Sequence, residues 1–314
     1  MKGKWMDAAC VLLLGIVMPW VLCVLGGTVT QPNTSQGEIQ ITVAETTQKA
    51  QTISVQTEQG IREMVLTDYL TGVILAEMPG SFALEAKKAQ AVVARTYALR
   101  VASGDRHGGA VCNDSGCCQS YRDPESVTDA NTVAEARSAA EQTEGMVLTY
   151  NGTLIDATYF SCSGGMTEDA VAVWGTDVPY LQSVESPGEE YAAHYTDAVI
   201  FPLTDFQDLL RIKLPNDSAK WIGEVAYTQG GGVETIVIAG VSYTGTQLRK
   251  LLGLRSTAFE IKIEGDCVAI TTKGFGHRVG MSQYGADAMA KMGSDFLQIL
   301  QHYYQGVKLE VNWA

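Results

Sequence analysis

An α+β body behind one membrane-spanning helix is the architecture this sequence predicts, on three observations. Residues Ala8 to Gly27 form a 20-residue run without a charge. Two helical segments follow one another between Asp68 and Ser103. Short alternating runs with turn signals between them lie on both sides of that pair, which suits antiparallel strands rather than a repeating βα pattern.

The apolar run comes first in the chain. At 1.5 Å per residue a helix of that length spans about 30 Å, the hydrocarbon thickness of a bilayer. Lys2 and Lys4 precede it and no cation follows closely, so the N-terminus is expected on the cytoplasmic side and the rest outside. No small-residue cleavage site follows Leu25, which favours a retained anchor over a removed signal. The expected organisation is an anchor at 1–27, a linker with short strands at 28–59 and a folded extracytoplasmic body, the functional region, at 60–314. Within the second part, EIQITVA and TISVQT alternate as strands do.

The 314-residue chain has 35 acidic against 22 basic side chains, a net charge of −13. That excludes a protein that tracks nucleic-acid phosphates, which needs a basic face to displace counterions. The 46% apolar content excludes a disordered chain.

In DYLTGVILAEM the residues Leu70, Val73, Ile74 and Glu77 recur at helical spacing, which sets Glu77 on the apolar stripe. Met78-Pro79-Gly80 must end this helix, because the residue before proline avoids the α region. Ser81 is the expected cap of a second, alanine-rich helix from Phe82 to Ser103, with Lys88 and Arg95 on one face. A carboxyl at a helix end among apolar neighbours loses hydration, and one kept protonated can serve as a general acid on a glycosidic oxygen. A simple ion pair of Glu77 with Lys88 or Arg95 fits the same spacing.

Next comes HGGAVCNDSGCCQSY, with His107, Cys112, Cys117 and Cys118 within 12 residues. One imidazole and two or three thiolates suit tetrahedral Zn²⁺. A disulfide from Cys112 to Cys117 or Cys118 also fits an exported protein. MVLTYNGTLIDATYF holds two alternating runs joined by Asn151-Gly152, a strong hairpin signal. It leads into the small-residue turn Ser161 to Gly165, whose backbone can approach a ligand closely. Strands are expected at VETIVIAG and at AFEIKIEGDCVAITT, the latter turning at Gly265-Asp266, with a short helix at Thr246 to Leu252 between them. A glycine loop holding His277, a helix from Ser282 and a last helix from Phe296 to Tyr304 close the chain. His277, Gln283 and Tyr284 can line a polar sugar site or serve as packing and capping residues.

The segments ILAEMPGSFALEAKKAQAVVARTYA, CCQSY, YFSCSGG and GFGHRVGMSQYGA, in this order, resemble the stage II sporulation protein D family from about Gly60 to Gly306. The resemblance implies a membrane-anchored lytic transglycosylase that cuts peptidoglycan glycan strands during forespore engulfment. It implies Glu77 as the catalytic acid and Lys88 and Arg95 as glycan-holding cations. Tyr159 and Ser161 in YFSCSGG, with His277, Gln283 and Tyr284, then line the groove. Zinc held by His107, Cys112 and Cys118 is implied as a structural ion, with Cys117 competing for the last place. The implied partners are a sporulation amidase/endopeptidase and a polytopic membrane engulfment protein, in the space between mother-cell and forespore membranes. A non-catalytic wall-binding module that enhances an amidase is the competing expectation. Arg278 stands where the family pattern has glycine, and Cys162 where threonine or serine is common.

Overall fold

The computed structural model describes residues 41–43, 51–114 and 116–313; the apolar span Ala8 to Gly27 and the linker at Gln31 to Gly37 lie outside them. Among the described residues no helix is long and apolar enough to cross a membrane. The described residues form one unit of mixed helices and strands.

Strand β1 (Ile41–Val43) is followed by β2 (Thr52–Thr57) and β3 (Gly60–Val65), and β2–β3 is an antiparallel hairpin. The boundary expected at Gly60 therefore falls inside a hairpin, and the strands before it belong to the body. Helix α1 (Leu66–Glu77) follows directly. Its residues Tyr69 to Leu75 are all buried, so the helix is enclosed on every side rather than striped. It stops at Met78, whose extended backbone (φ −115°, ψ 130°) is what the following proline requires.

Helix α2 (Leu84–Ala102) is the hub. Its alanines bury no bulk and let other helices come close, and it packs on α1 and on α3 (Ala130–Gln142). The expected cap at Ser81 is not formed. Ala83 is the capping residue, and its N–H donates to Asp287 Oδ1 at 2.7 Å from the far end of the sequence. A remote carboxylate takes the place of the local hydroxyl, because Asp287 is itself fully buried and needs donors.

After β4 (Val111–Cys112), which joins β2 in parallel, the Asn151-Gly152 hairpin forms as expected between β5 (Val147–Tyr150) and β6 (Thr153–Leu154). Asn151 and Gly152 take φ 51° and 75°, the conformations a type I′ turn demands. Strand β7 (Tyr159–Phe160) and helix α4 (Ala170–Trp174) lead to a second hydrophobic core. That core is built from β8 (Thr196–Pro202), α5 (Leu203–Leu210), β9 (Ile222–Tyr227), β10 (Val233–Ile238), β11 (Val241–Thr244), α6 (Gly245–Leu251), β12 (Ala258–Glu264) and β13 (Cys267–Lys273). It has two three-stranded antiparallel sheets, β11-β10-β9 and β12-β13-β8.

The chain then returns to the first core through β14 (Met281–Ser282), α7 (Gln283–Lys291), α8 (Phe296–Tyr303) and β15 (Lys308–Val311). Strand β15 pairs with β1 and β5 and closes the sheet β1-β15-β5-β6. The segment 196–273 is thus an insertion whose two ends meet, with Lys273 paired to Thr196 and the Gly274 N–H donating to the Tyr195 carbonyl at 2.9 Å; just beyond it Phe275 exchanges backbone bonds with Cys162, at 2.7 and 3.1 Å. A side chain on Gly274 (φ 80°) would sit 2.7 Å from the Cys162 and Ser163 carbonyls, so only glycine allows this approach.

Candidate active site

Glu77 ends α1 where the buried helix reaches the surface, and the carboxylate is half-buried rather than sealed among apolar side chains. Its Oε1 accepts the Ser120 N–H at 2.8 Å, and its Oε2 the Gln283 side-chain amide at 3.4 Å. Two adjoining cavities share it. One, of about 380 Å³, lies toward Met78–Gly80 and is lined by Phe82, Arg122, Thr132, Ser161, Gln283 and Tyr284. The other, of about 540 Å³, is bounded by Tyr97, Ser120, Tyr159, Ser161, Phe275 and His277. Glu77 is the one carboxylate lining either cavity among the described residues.

The segment Gln119 to Arg122 is strapped along α1. Tyr69 donates its hydroxyl to Gln119 Oε1 at 3.2 Å, Tyr121 lies parallel to Tyr69 at 5.9 Å, and the Arg122 N–H donates to the Gly72 carbonyl at 3.0 Å. A Cβ on Gly72 would stand 2.1 Å from the Tyr121 ring, so glycine in mid-helix makes the seat for that ring. Ser120, inside the CCQSY segment, and Arg122, just past it, carry no role in the sequence reading; a glycine inside a buried helix is the available signal of a close approach.

Of the residues expected at the site, Ser161, Gln283, Tyr284, Tyr159 and His277 do gather around Glu77. Tyr159 contributes its ring only, since its hydroxyl is enclosed without a partner and burial pushes its ionisation well up. The turn after Ser161 is not open to a ligand. The buried Glu189 accepts the N–H groups of Ser163 and Gly164 at 2.8 and 3.0 Å, and also the Ser163 hydroxyl and Cys162 thiol.

Arg95 is not brought to the site. It is 1% exposed, and its guanidinium donates to the carbonyls of Ala140 and Met146 at 3.0 and 3.2 Å, closing the end of α3. Lys88 pairs with Glu85 at 2.7 Å and lies over Phe296. Neither cation lines a cavity that holds Glu77.

His277 packs edge-on against Phe160 and tilts against Trp174, each at 5.5 Å. Its Nδ1 accepts the Val279 N–H at 3.2 Å, so the neutral ring carries its proton on Nε2. Burial, with the Arg249 charge second, pushes its pKa down to about 4. An unfolded histidine titrates near 6.5, so between these values the unfolded chain binds more protons and stability falls as pH drops. Chemical denaturation at pH 7.5 and 5 should show a loss on the order of 1–2 kcal/mol that is absent in His277→Gln. An equal loss in both would assign it to other groups.

His107 Nε2, with the thiols of Cys112, Cys117 and Cys118, forms a cluster whose ligand atoms all lie within 4.8 Å of one another. The His107 backbone is left-handed (φ 51°), which turns its ring toward Cys117 at 3.2 Å. All described cysteines are free thiols, including these three, so the expected disulfide alternative is not formed. Both Cys117 and Cys118 are present in the cluster, where the sequence left the choice between them open. The cluster flanks Glu77: Cys117 and Cys118 line the same cavity.

Arg278 explains why a glycine suits its position. Its φ is 66°, and its buried guanidinium meets Glu168 at 3.1 Å and the carbonyls of Ser163, Met166 and Gly230 at 2.6 to 2.8 Å.

The family described as "Stage II sporulation protein" matches residues 54–150. Stage II sporulation protein D of Bacillus subtilis (strain 168) is 38% identical over 262 residues, which covers 80% of this chain and 76% of that protein. The Bacillus amyloliquefaciens protein of the same name is 39% identical over 282 residues, 85% of this chain and 81% of that one. The amidase enhancer of Bacillus subtilis (strain 168) is 31% identical over 76% of this chain, but over only 40% of its own length. At these identities, and with this coverage, the chain belongs to the stage II sporulation protein D family of sporulation proteins.

Proposed function

We propose that this chain is a lytic transglycosylase that cleaves the β-1,4 bond between N-acetylmuramic acid and N-acetylglucosamine in peptide-stripped glycan strands, forming 1,6-anhydro ends. The observation that carries this reading is the solitary carboxylate: Glu77 lies between two adjoining cavities with no second Asp or Glu among the described residues lining them. A hydrolase of the usual kind needs a second carboxylate about 5–9.5 Å away, as nucleophile or as base for water. A transglycosylase uses the muramic acid's own 6-hydroxyl instead. Glu77 donates its proton to the leaving glycosidic oxygen as the C1–O bond breaks. The carboxylate so formed takes the proton of the 6-hydroxyl as its oxygen bonds to C1, and the acid is regenerated. The attack is intramolecular, so holding the sugar ring supplies much of the rate. Full-length protein in detergent, given peptide-free strands, should yield ends one water lighter than hydrolytic products, and Glu77→Gln should yield none. Strands bound but left uncut by the parent would favour the wall-binding module instead, a reading the similarity to the amidase enhancer supports.

The His107, Cys112, Cys117 and Cys118 cluster fits zinc: one imidazole and three thiols whose ligand atoms lie within 4.8 Å of one another need to draw in only slightly to surround an ion with bonds of about 2.0–2.3 Å. A closed, thiolate-rich set supplies structure, here by bracing the loop that carries Ser120 to Glu77. Protein purified without added metal should hold about one equivalent of zinc, most of it lost in His107→Ala. If Cys117→Ser binds zinc as tightly as the parent, three ligands suffice and Cys117 is not one of them. The anchor at Ala8 to Gly27 would place the body between the mother-cell and forespore membranes. An amidase/endopeptidase and a polytopic membrane protein are the partners this role requires.

A further inference from the structure

Resting on the reading of the cleft as a glycan groove, we propose that Arg122 recognises the free lactyl carboxylate of peptide-stripped muramic acid on the Met78–Gly80 side of Glu77. Among the described residues Arg122 is the one Lys or Arg lining either cavity that holds Glu77. Four cations of helices α2 and α3 are occupied elsewhere: Lys87 pairs with Glu135, Lys88 with Glu85, Arg137 with Asp68, and Arg95 closes α3. Arg122 is exposed, and its guanidinium has no carboxylate within 4.0 Å among the described residues. Its backbone is nevertheless fixed, because the strap that donates Ser120 N–H to Glu77 also donates Arg122 N–H to Gly72. An exposed cation without an ion-pair partner among the described residues thus hangs from a backbone held in register with the acid.

The chemistry of the strand supplies the counterpart. Muramic acid bears a lactyl group on O3. With the stem peptide attached its carboxyl is a neutral amide; once the peptide is removed it is a carboxylate, the repeating charge of an otherwise neutral sugar chain. A planar guanidinium matches a carboxylate in two parallel hydrogen bonds. The need for a dedicated cation is greater here because the chain as a whole carries −13 and repels anions at longer range. The same cavity offers an aromatic wall, Phe82 against Tyr284 at 4.9 Å, for the apolar face of a pyranose ring. Arg122 would then make the protein prefer strands already stripped by an amidase.

The test uses full-length protein in detergent with Glu77→Gln, so that strands bind without being consumed. Two probes are compared by calorimetry: peptide-free glycan strands, and the same strands with each lactyl carboxyl converted to a methylamide. The carboxylate form is expected to bind about 10- to 100-fold more tightly, the range of a charge-assisted pair, and this preference should weaken with salt. Adding Arg122→Gln should make the two probes bind alike, while Arg122→Lys restores part of the preference. A protein that does not discriminate the probes, or Arg122→Gln that still does, overturns the proposal. If the preference behaves as described but wild-type protein never cuts the strand, the subsite stands and the transglycosylase reading falls.

Discussion

Glu77→Gln is expected to lower the rate of anhydro-end formation by about 10²–10⁴, while glycan affinity changes by less than about threefold. The amide is the same size as the carboxylate, and its oxygen can still accept the Ser120 N–H that Glu77 Oε1 accepts at 2.8 Å. What it cannot do is give a proton to the leaving oxygen and take one back from the 6-hydroxyl. No other Asp or Glu lines the two cavities among the described residues, so nothing nearby can replace it. Glu77→Asp keeps the acid but withdraws it by one methylene, and a displacement of about 1 Å costs roughly 10². Turnover followed by mass spectrometry of the strand ends measures both variants. A Glu77→Gln protein that retained a tenth of the parent rate would place the acid elsewhere.

The second large effect is on stability. Arg278→Gly should lower the unfolding free energy by roughly 2–4 kcal/mol, although glycine relieves the left-handed backbone there. Burial works against the Arg278 charge, and Glu168, then Glu189, work for it. Removing the guanidinium leaves Glu168, 1% exposed, with only the Thr228 hydroxyl and Gly232 N–H as donors. It also strips a partner from three carbonyls, those of Ser163, Met166 and Gly230. These groups join the first core to the insertion, since Gly230 and Gly232 pack on Glu168 without room for a Cβ. Urea denaturation followed through Trp221, inside the insertion, and through backbone circular dichroism reads the change. A shift below about 1 kcal/mol would mean that the joint rests on apolar contacts instead.

Arg95 shows how helical spacing misleads. The i, i+4, i+7 relation to Lys88 set both on one face of α2, but α2 is wrapped by helices on several sides. Spacing cannot say which face meets solvent, and the C-terminus of α3, whose last carbonyls need donors, claimed the guanidinium. Ser81 failed as a cap for a similar reason, because Asp287 reaches Ala83 across 204 positions of sequence.

By itself the sequence determined what is local or carried by motifs. The helix ending at Met78-Pro79, the hairpin at Asn151-Gly152, the strands turning at Gly265-Asp266 and the cysteine-rich loop are set by φ/ψ preferences and short-range hydrogen bonds. Only the tertiary structure decided which side chains share the cleft. Ser120 and Arg122 reach Glu77's neighbourhood because a glycine-sized gap on α1 admits Tyr121, and Gln283 arrives from 206 positions away. Such meetings depend on how packed elements fill space together, and no local preference encodes that.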